Sequence, residues 1–213
     1  MTLTDARLTA TQLTCIRGDQ LVFENLALDV GPGELWQVTG ANGAGKTSLL
    51  RLLAGLSPPA GGEVRWRGVP LPASRAELQA DLVFLGHLPG ITGFLTASEN
   101  LAVARALLGR PASLSIAEAL SRAGLREKAS VPAARLSAGQ RQRLALARFL
   151  LADAALWLLD EPFTALDEAG RAFAETLLRE HAERGGMAVV STHHALQVPA
   201  AHLRRLELGV GAS

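Results

Sequence analysis

Apolar and polar residues alternate from Leu8 to Ile16 and again from Leu21 to Val30, on either side of the turn signal Arg17-Gly18-Asp19. A period of two turns one face of each run toward a core, so the pattern predicts an antiparallel pair of strands. Glu34 to Val38 reads as a short strand, and Ser48 to Leu53 opens a helix that Gly55 ends. Pro58-Pro59-Ala60-Gly61-Gly62 predicts a loop, followed by a strand from Glu63 to Arg67, a turn through Pro70 and Pro72, and an apolar strand from Asp81 to Leu85. From Thr96 to roughly Ser130 the apolar period lengthens to that of a helix, with Leu101, Ala104 and Leu108 and then Ile116, Leu120 and Leu125 on apolar faces. This predicts a helical subdomain inserted at about residues 88–135. A helix from Ala138 to Leu151, a strand from Ala155 to Leu159, a helix from Glu168 to Glu183 and a strand from Met187 to Ser191 complete the pattern. Strands alternating with helices predict an α/β fold with a mostly parallel sheet covered on both faces.

The run Gly40-Ala41-Asn42-Gly43-Ala44-Gly45-Lys46-Thr47 lies between the strand at Glu34 to Val38 and the helix that Ser48 opens. Both the motif and its strand-to-helix setting are those of a phosphate-cradling P-loop, which makes nucleotide the leading ligand. Glycines let successive N–H groups turn toward phosphate oxygens, and the positive end of the following helix adds attraction. Lys46 is placed to reach the β- and γ-phosphates, and Thr47 to offer its hydroxyl to Mg²⁺. Further on, Ala155 to Leu159 is an apolar strand that runs into Asp160 and Glu161. At the carboxyl edge of a parallel sheet such residues face the ligand crevice. Asp160 suits Mg²⁺ held through water, and Glu161 suits a base that polarises an attacking water.

Composition narrows the rest. With 213 residues, 48% of them hydrophobic and 19% charged, the chain has enough apolar surface for one domain spanning 1–213 and is not disordered. A formal charge of +1 gives no field for holding nucleic acid or anionic lipid. The single cysteine, Cys15, excludes an intrachain disulfide and reads as a packed thiol. Residues 1–10 carry Asp5 and Arg7 where a signal peptide needs an apolar core, so the expected place is the cytosol. The most apolar stretch, Leu144 to Leu159, is interrupted by Arg148 and Asp153, so contact with a membrane is expected only through partners.

With Leu136-Ser137-Ala138-Gly139-Gln140 added to the P-loop and Asp160-Glu161, nearly the whole chain resembles the ATP-binding cassette family of P-loop ATPases. The resemblance implies a P-loop NTPase cassette with an antiparallel amino-terminal β subdomain and an inserted helical subdomain. It implies that ATP and Mg²⁺ are held by Gly40 to Ser48, and that Ser137, Gly139 and Gln140 meet the γ-phosphate bound to a second copy, the two closing head to tail. Ser137 could equally cap the helix after it. Ala165-Leu166-Asp167 resembles the loop that crosses the dimer interface. His193, in Ser191-Thr192-His193-His194, resembles the switch histidine that contacts the γ-phosphate, with His194 a bystander.

Two positions depart from the family. Leu88, in Gly86-His87-Leu88-Pro89-Gly90, stands where a Mg²⁺-contacting glutamine is usual. Either His87 substitutes as a polar contact, water completes the metal shell, or turnover is weak. The chain has no tyrosine, and Arg17 stands near the place of the aromatic that stacks on adenine, either stacking in its stead or serving as a plain turn residue.

Within the family, Leu85-Gly86-His87, Pro89-Gly90-Ile91, Leu95 to Leu101, Leu136 to Arg143 and Leu156 to Asp167 are similar to the ATP-binding subunit of the haem exporter used in cytochrome c maturation. That resemblance implies integral-membrane partner subunits, a homodimer of cassettes and a peripheral position on the cytoplasmic face of the bacterial inner membrane. It also implies no extra carboxyl-terminal domain. Alternatives are an exporter ATPase for another cargo, a soluble cassette ATPase acting on DNA or ribosomes, and a nucleotide sensor that does not turn over.

Overall fold

The computed structural model describes residues 6–108 and 114–209. Residues 1–5, with Asp5, and the helical reading across 109–113 lie outside them. Strands β1 (Leu8–Arg17) and β2 (Gln20–Val30) pair antiparallel across a turn at Gly18-Asp19, with Leu8 opposite Val30 and Arg17 opposite Gln20. The alternation slips once. Leu8 and Ala10 are buried, then Leu13 and Cys15, because Gln12 at φ 50° adds one residue to β1 as a bulge. Strands β4 (Gly61–Trp66) and β5 (Val69–Pro70) complete this sheet in the order β2-β1-β4-β5.

The second sheet is parallel, in the order β6-β7-β8-β3-β9. It contains β3 (Leu35–Gly40), β6 (Leu82–Leu85), β7 (Leu156–Asp160), β8 (Met187–Ser191) and β9 (Leu203–Leu208). Every residue of β7 and β8 is buried, as expected of central parallel strands covered on both faces. On one face α1 (Lys46–Leu53) and the antiparallel sheet enclose a core that includes Trp66, Leu49 and Leu53. On the other, α5 (Ala138–Ala147) and α6 (Glu168–Glu183) pack over Trp157, Leu159 and Val190. Registers Leu85 with Leu159, Asp160 with Ser191 and Val38 with Ser191 align four strand ends at one edge. That edge is where open α/β sheets bind ligands.

Between β6 and β7 lie α3 (Ala97–Leu108), α4 (Ile116–Arg122), two short 3₁₀ turns and α5. The predicted helical subdomain thus consists of separate helices. Ser115 and Glu118 form a reciprocal cap that starts α4 afresh. Ahead of α3, the buried amide of Asn100 accepts from Thr92 N at 2.8 Å and donates to the carbonyls of Thr92, Leu95 and Thr96 at 3.0, 3.2 and 2.9 Å. One side chain thus closes the 92–96 loop, at whose tip Phe94 is 84% exposed. An Arg122–Glu180 ion pair ties α4 to α6.

Other expectations are corrected. Helix α5 ends at Ala147 and continues to Leu151 only as a 3₁₀ turn. There Arg148 turns back, donating to Ala145 O at 3.1 Å and to Pro89 O at 2.8 Å. Apolar spacing does not distinguish a tightened last turn from a regular one. The strand expected at Asp81 begins at Leu82, because Asp81 ends a helix, α2 (Arg75–Asp81), and pairs with Arg67 at 2.8 Å. β9 and α2 were not expected at all.

Trp157 of β7 and His181 of α6 stack with ring centroids 3.7 Å apart and planes 4° from parallel. His181 is buried, and its Nε2 lies 3.1 Å from Met187 O, so that nitrogen carries the proton and donates. Burial pulls its pKa from 6.5 down to about 3; nearby Arg184 also lowers it, while the Met187 bond acts the other way. The unfolded chain therefore takes up a proton below pH 6.5 that the folded chain refuses, so this contribution to stability is intact above pH 6.5 and declines as pH falls toward 3. Urea-unfolding free energies should drop by about 2 kcal/mol from pH 8 to pH 5 on this account, and His181→Gln should remove that part of the slope.

Candidate functional site

At the aligned strand ends the loop after β3 turns into α1, and its residues with Asp160 and Glu161 line a cavity of about 280 Å³. The loop depends on its glycines. Gly45 sits at φ 96°, and a Cβ there would stand 2.5 Å from Val22 Cγ1 of β2. A side chain is excluded by backbone conformation and by packing alike. Ala41, Asn42, Gly43, Lys46, Thr47 and Ser48 face the cavity, while Ala44 is packed into the core. Gly40 ends β3 at φ 142°.

The Lys46 ammonium, mostly buried, is held by Gly40 O at 2.8 Å and Ala41 O at 3.3 Å and lies 3.2 Å from His193 Nε2. An ammonium only donates, so Nε2 accepts and the His193 proton sits on Nδ1. Glu161 Oε1 is 3.9 Å from the same Nε2, outside hydrogen-bond range. Lysine, histidine and glutamate thus converge beside the P-loop although they come from α1 and from the loops after β8 and β7.

Asp160, 3% exposed, accepts from Thr47 Oγ1 at 2.7 Å and on its other oxygen from Ser191 Oγ. The Ser191 hydroxyl also accepts from Glu161 N at 3.1 Å, and the Ser191 carbonyl accepts from the same N–H at 3.0 Å. Glu161 is held at φ 49°, a region costly for a residue with a side chain. Sequence reasoning missed Ser191. The signal was its position at the end of an apolar strand, but its role follows from being opposite Asp160 in the register.

Ser137, Gly139, Gln140 and Asp167 do not line this cavity. Ser137 caps α5: its Oγ accepts from Gln140 N at 3.1 Å while Gln140 Oε1 accepts from Ser137 N at 2.9 Å. Asp167 caps α6 by accepting from Gly170 N at 2.8 Å. The two caps are neighbours, because a Cβ on Gly139 would stand 2.7 Å from Ala165 O. Gln142, also missed from sequence, joins α5 to the segment after Glu161 by donating to Pro162 O at 2.9 Å.

At the departures from the family pattern, Leu88 is 80% exposed, whereas His87 lines the cavity with Thr47, Asp160 and Glu161. Arg17 and Val22 border it from the antiparallel sheet. His194 bonds Glu175 Oε1 at 2.9 Å and packs on Phe163.

Comparison with known proteins shows what family the fold belongs to. The family model described as ABC transporter matches residues 23–164. The cytochrome c biogenesis ATP-binding export protein CcmA of Methylococcus capsulatus is 55% identical over 197 residues, 92% of this chain and 95% of that protein. The protein of the same name from Pseudomonas fluorescens is 46% identical over 207 residues, 97% of this chain and 98% of its own length. Among solved structures, the dimeric post-hydrolysis state of the ATP-binding cassette MJ0796 bound to ADP and Pi superposes with a TM-score of 0.80 at 25% identity, covering 96% of this chain and 97% of that one. An ATP-binding subunit of an ABC transporter gives a TM-score of 0.79 at 26% identity, covering 96% and 88%.

Removing the Ser191 hydroxyl leaves a buried carboxylate oxygen without its donor. Ser191→Ala should cost about 1–3 kcal/mol in urea unfolding.

Proposed function

Because this chain belongs to the ABC transporter family of ATP-driven transport proteins, we propose that it is the ATP-hydrolysing subunit of a membrane export complex serving cytochrome c biogenesis, with haem as cargo. The observation that carries the catalytic half is the convergence of Lys46, His193 and Glu161 beside the P-loop. Export in cytochrome c biogenesis is supported by the name of relatives such as that of M. capsulatus, and haem by the sequence resemblance. We take residues 1–213 as one cassette, with the helices within 88–135 as its inserted part.

ATP places its phosphates along Gly40 to Ser48, and the Lys46 ammonium exchanges the Gly40 and Ala41 carbonyls for β- and γ-phosphate oxygens. That exchange frees His193 Nε2, which donates to a γ-phosphate oxygen once it carries the proton. Glu161, fixed by Ser191, accepts a proton from the attacking water. The water oxygen bonds to the γ-phosphorus, the bridging P–O bond breaks, and ADP leaves with that electron pair. Thr47 and Asp160 form an oxygen-only donor pair 2.7 Å apart, which suits Mg²⁺. When bound there, Mg²⁺ neutralises phosphate charge.

Ser137, Gly139, Gln140 and Asp167 act on nucleotide held by a second copy. Their resemblance to the family's signature and interface loops supports this reading. Membrane subunits dock around residues 87–100, where Leu88 and Phe94 are 80% and 84% exposed. The chain sits peripherally on the cytoplasmic face of the inner membrane; among the described residues no helix is long and apolar enough to cross one. It has no role with nucleic acid.

Lys46→Ala should lose ATP binding by about 100-fold or more, whereas Glu161→Gln should bind ATP at parental affinity with kcat reduced by about 100-fold or more. Calorimetric titration and phosphate release measure the two. Co-purification of Glu161→Gln with its membrane partners and bound haem tests the cargo, and parental turnover by that variant removes Glu161 as base.

A further inference from the structure

His193 is the most exposed member of the converging trio, its side chain 58% accessible, yet the backbone around it is pinned from three directions. Thr192 N donates to Val38 O at 3.2 Å, and His194 N donates to Thr192 Oγ1 at 3.0 Å. From β3, Gln37 donates its amide to His194 O at 2.9 Å. Gln37 is 4% exposed, a polar side chain inside a parallel strand, and burying it would be costly without such a bond. From α6, Glu175 Oε1 lies 2.9 Å from His194 Nε2 and also accepts from Gln197 N at 3.3 Å. From the segment after Glu161, the Phe163 ring lies against the His194 ring at 4.6 Å.

His194 therefore does for its neighbour what a bare loop cannot. The residue after His193 is anchored through its carbonyl, its N–H and its ring, so the His193 imidazole swings about its own side-chain bonds over a fixed backbone. The anchor reaches α6, which Asp167 caps, and Phe163, two residues from Glu161. Small displacements of a reacting group are expensive in rate, and rigid support from a surrounding shell is the usual remedy.

We propose that His194 and Glu175 are positioning residues for ATP hydrolysis, their hydrogen bond fixing the loop that aims His193 at the γ-phosphate. The proposal rests on the reading of His193 given above. Neither residue touches nucleotide. Their contribution is the placement of the His193 ring, so their loss lowers kcat without weakening ATP binding, and any side chain that restores the bond restores the rate.

The test compares His194→Ala, Glu175→Ala, His194→Gln and His193→Ala in the full-length chain. The chain has five histidines, few enough for the His193 Cε1–H resonance to be assigned by substitution. His194→Ala and Glu175→Ala should each lower kcat about 10-fold, keep KM for ATP within about 2-fold, and shift or broaden the His193 signal in the nucleotide-free chain. His194→Gln, whose amide can still donate to Glu175, should return kcat to within about 2-fold of the parent. If His193→Ala abolishes turnover while both alanine variants keep parental kcat and an unmoved His193 signal, the positioning role is overturned and the reading of His193 stands. If His193→Ala itself turns over at the parental rate, that reading fails. A fall in thermal midpoint of about 10 °C or more in both alanine variants, with no rescue by glutamine, makes the bond a general scaffold and overturns the proposal.

Discussion

The site depends on one buried carboxylate. Asp160 sits at the end of an all-apolar strand, its two oxygens taken by hydroxyls from different elements: Thr47 in the first turn of α1 and Ser191 at the end of β8. A charge this deep is tolerated only with strong donors on it. Those two bonds fix the spacing between the phosphate loop and the loops bearing Glu161 and His193. Ser191 extends the constraint by holding the Glu161 N–H through both hydroxyl and carbonyl, which keeps Glu161 in a strained backbone conformation. Strain of this kind persists only where neighbours over-determine it.

A second constraint lies beside the first. The P-loop lines one cavity with Asp160 and Glu161, and the start of α5 lines a neighbouring one with His87, Glu161 and Ala165, where Gly139 lets a helix end approach the Ala165 carbonyl. Helix starts attract anions, but those of α5 and α6 are satisfied by their own caps at Ser137 and Asp167. Glu161 and His87 border both cavities, so the P-loop and the capped start of α5 are held at a fixed spacing within one chain.

Much of this was legible in the sequence because its signals are local. The P-loop, the helix it opens, the apolar strand before Asp160 and the cap at Ser137 all depend on residues within a few positions of one another. What was missed depends on register. Ser191, Gln37, Gln142 and the His181–Trp157 stack acquire their roles from residues that pairing and packing bring alongside. β9 escaped because Leu203-Arg204-Arg205-Leu206 breaks the alternation, which an edge strand can afford. The slip at Gln12 was likewise invisible, since the apolar run reads the same with one residue more. The partners of His194 were not legible either, because a second histidine beside the first offers no sequence signal of what it faces.

The loop closed by Asn100 has a thermodynamic corollary. A phenylalanine displayed on a wandering segment would forfeit chain entropy at each association, roughly 1–2 kcal/mol for every residue brought to order. Four hydrogen bonds from a single amide have already immobilised residues 92–96. A body that covers Phe94 therefore finds its mould set, and the free energy of burying that ring passes into affinity with little deducted for freezing the chain.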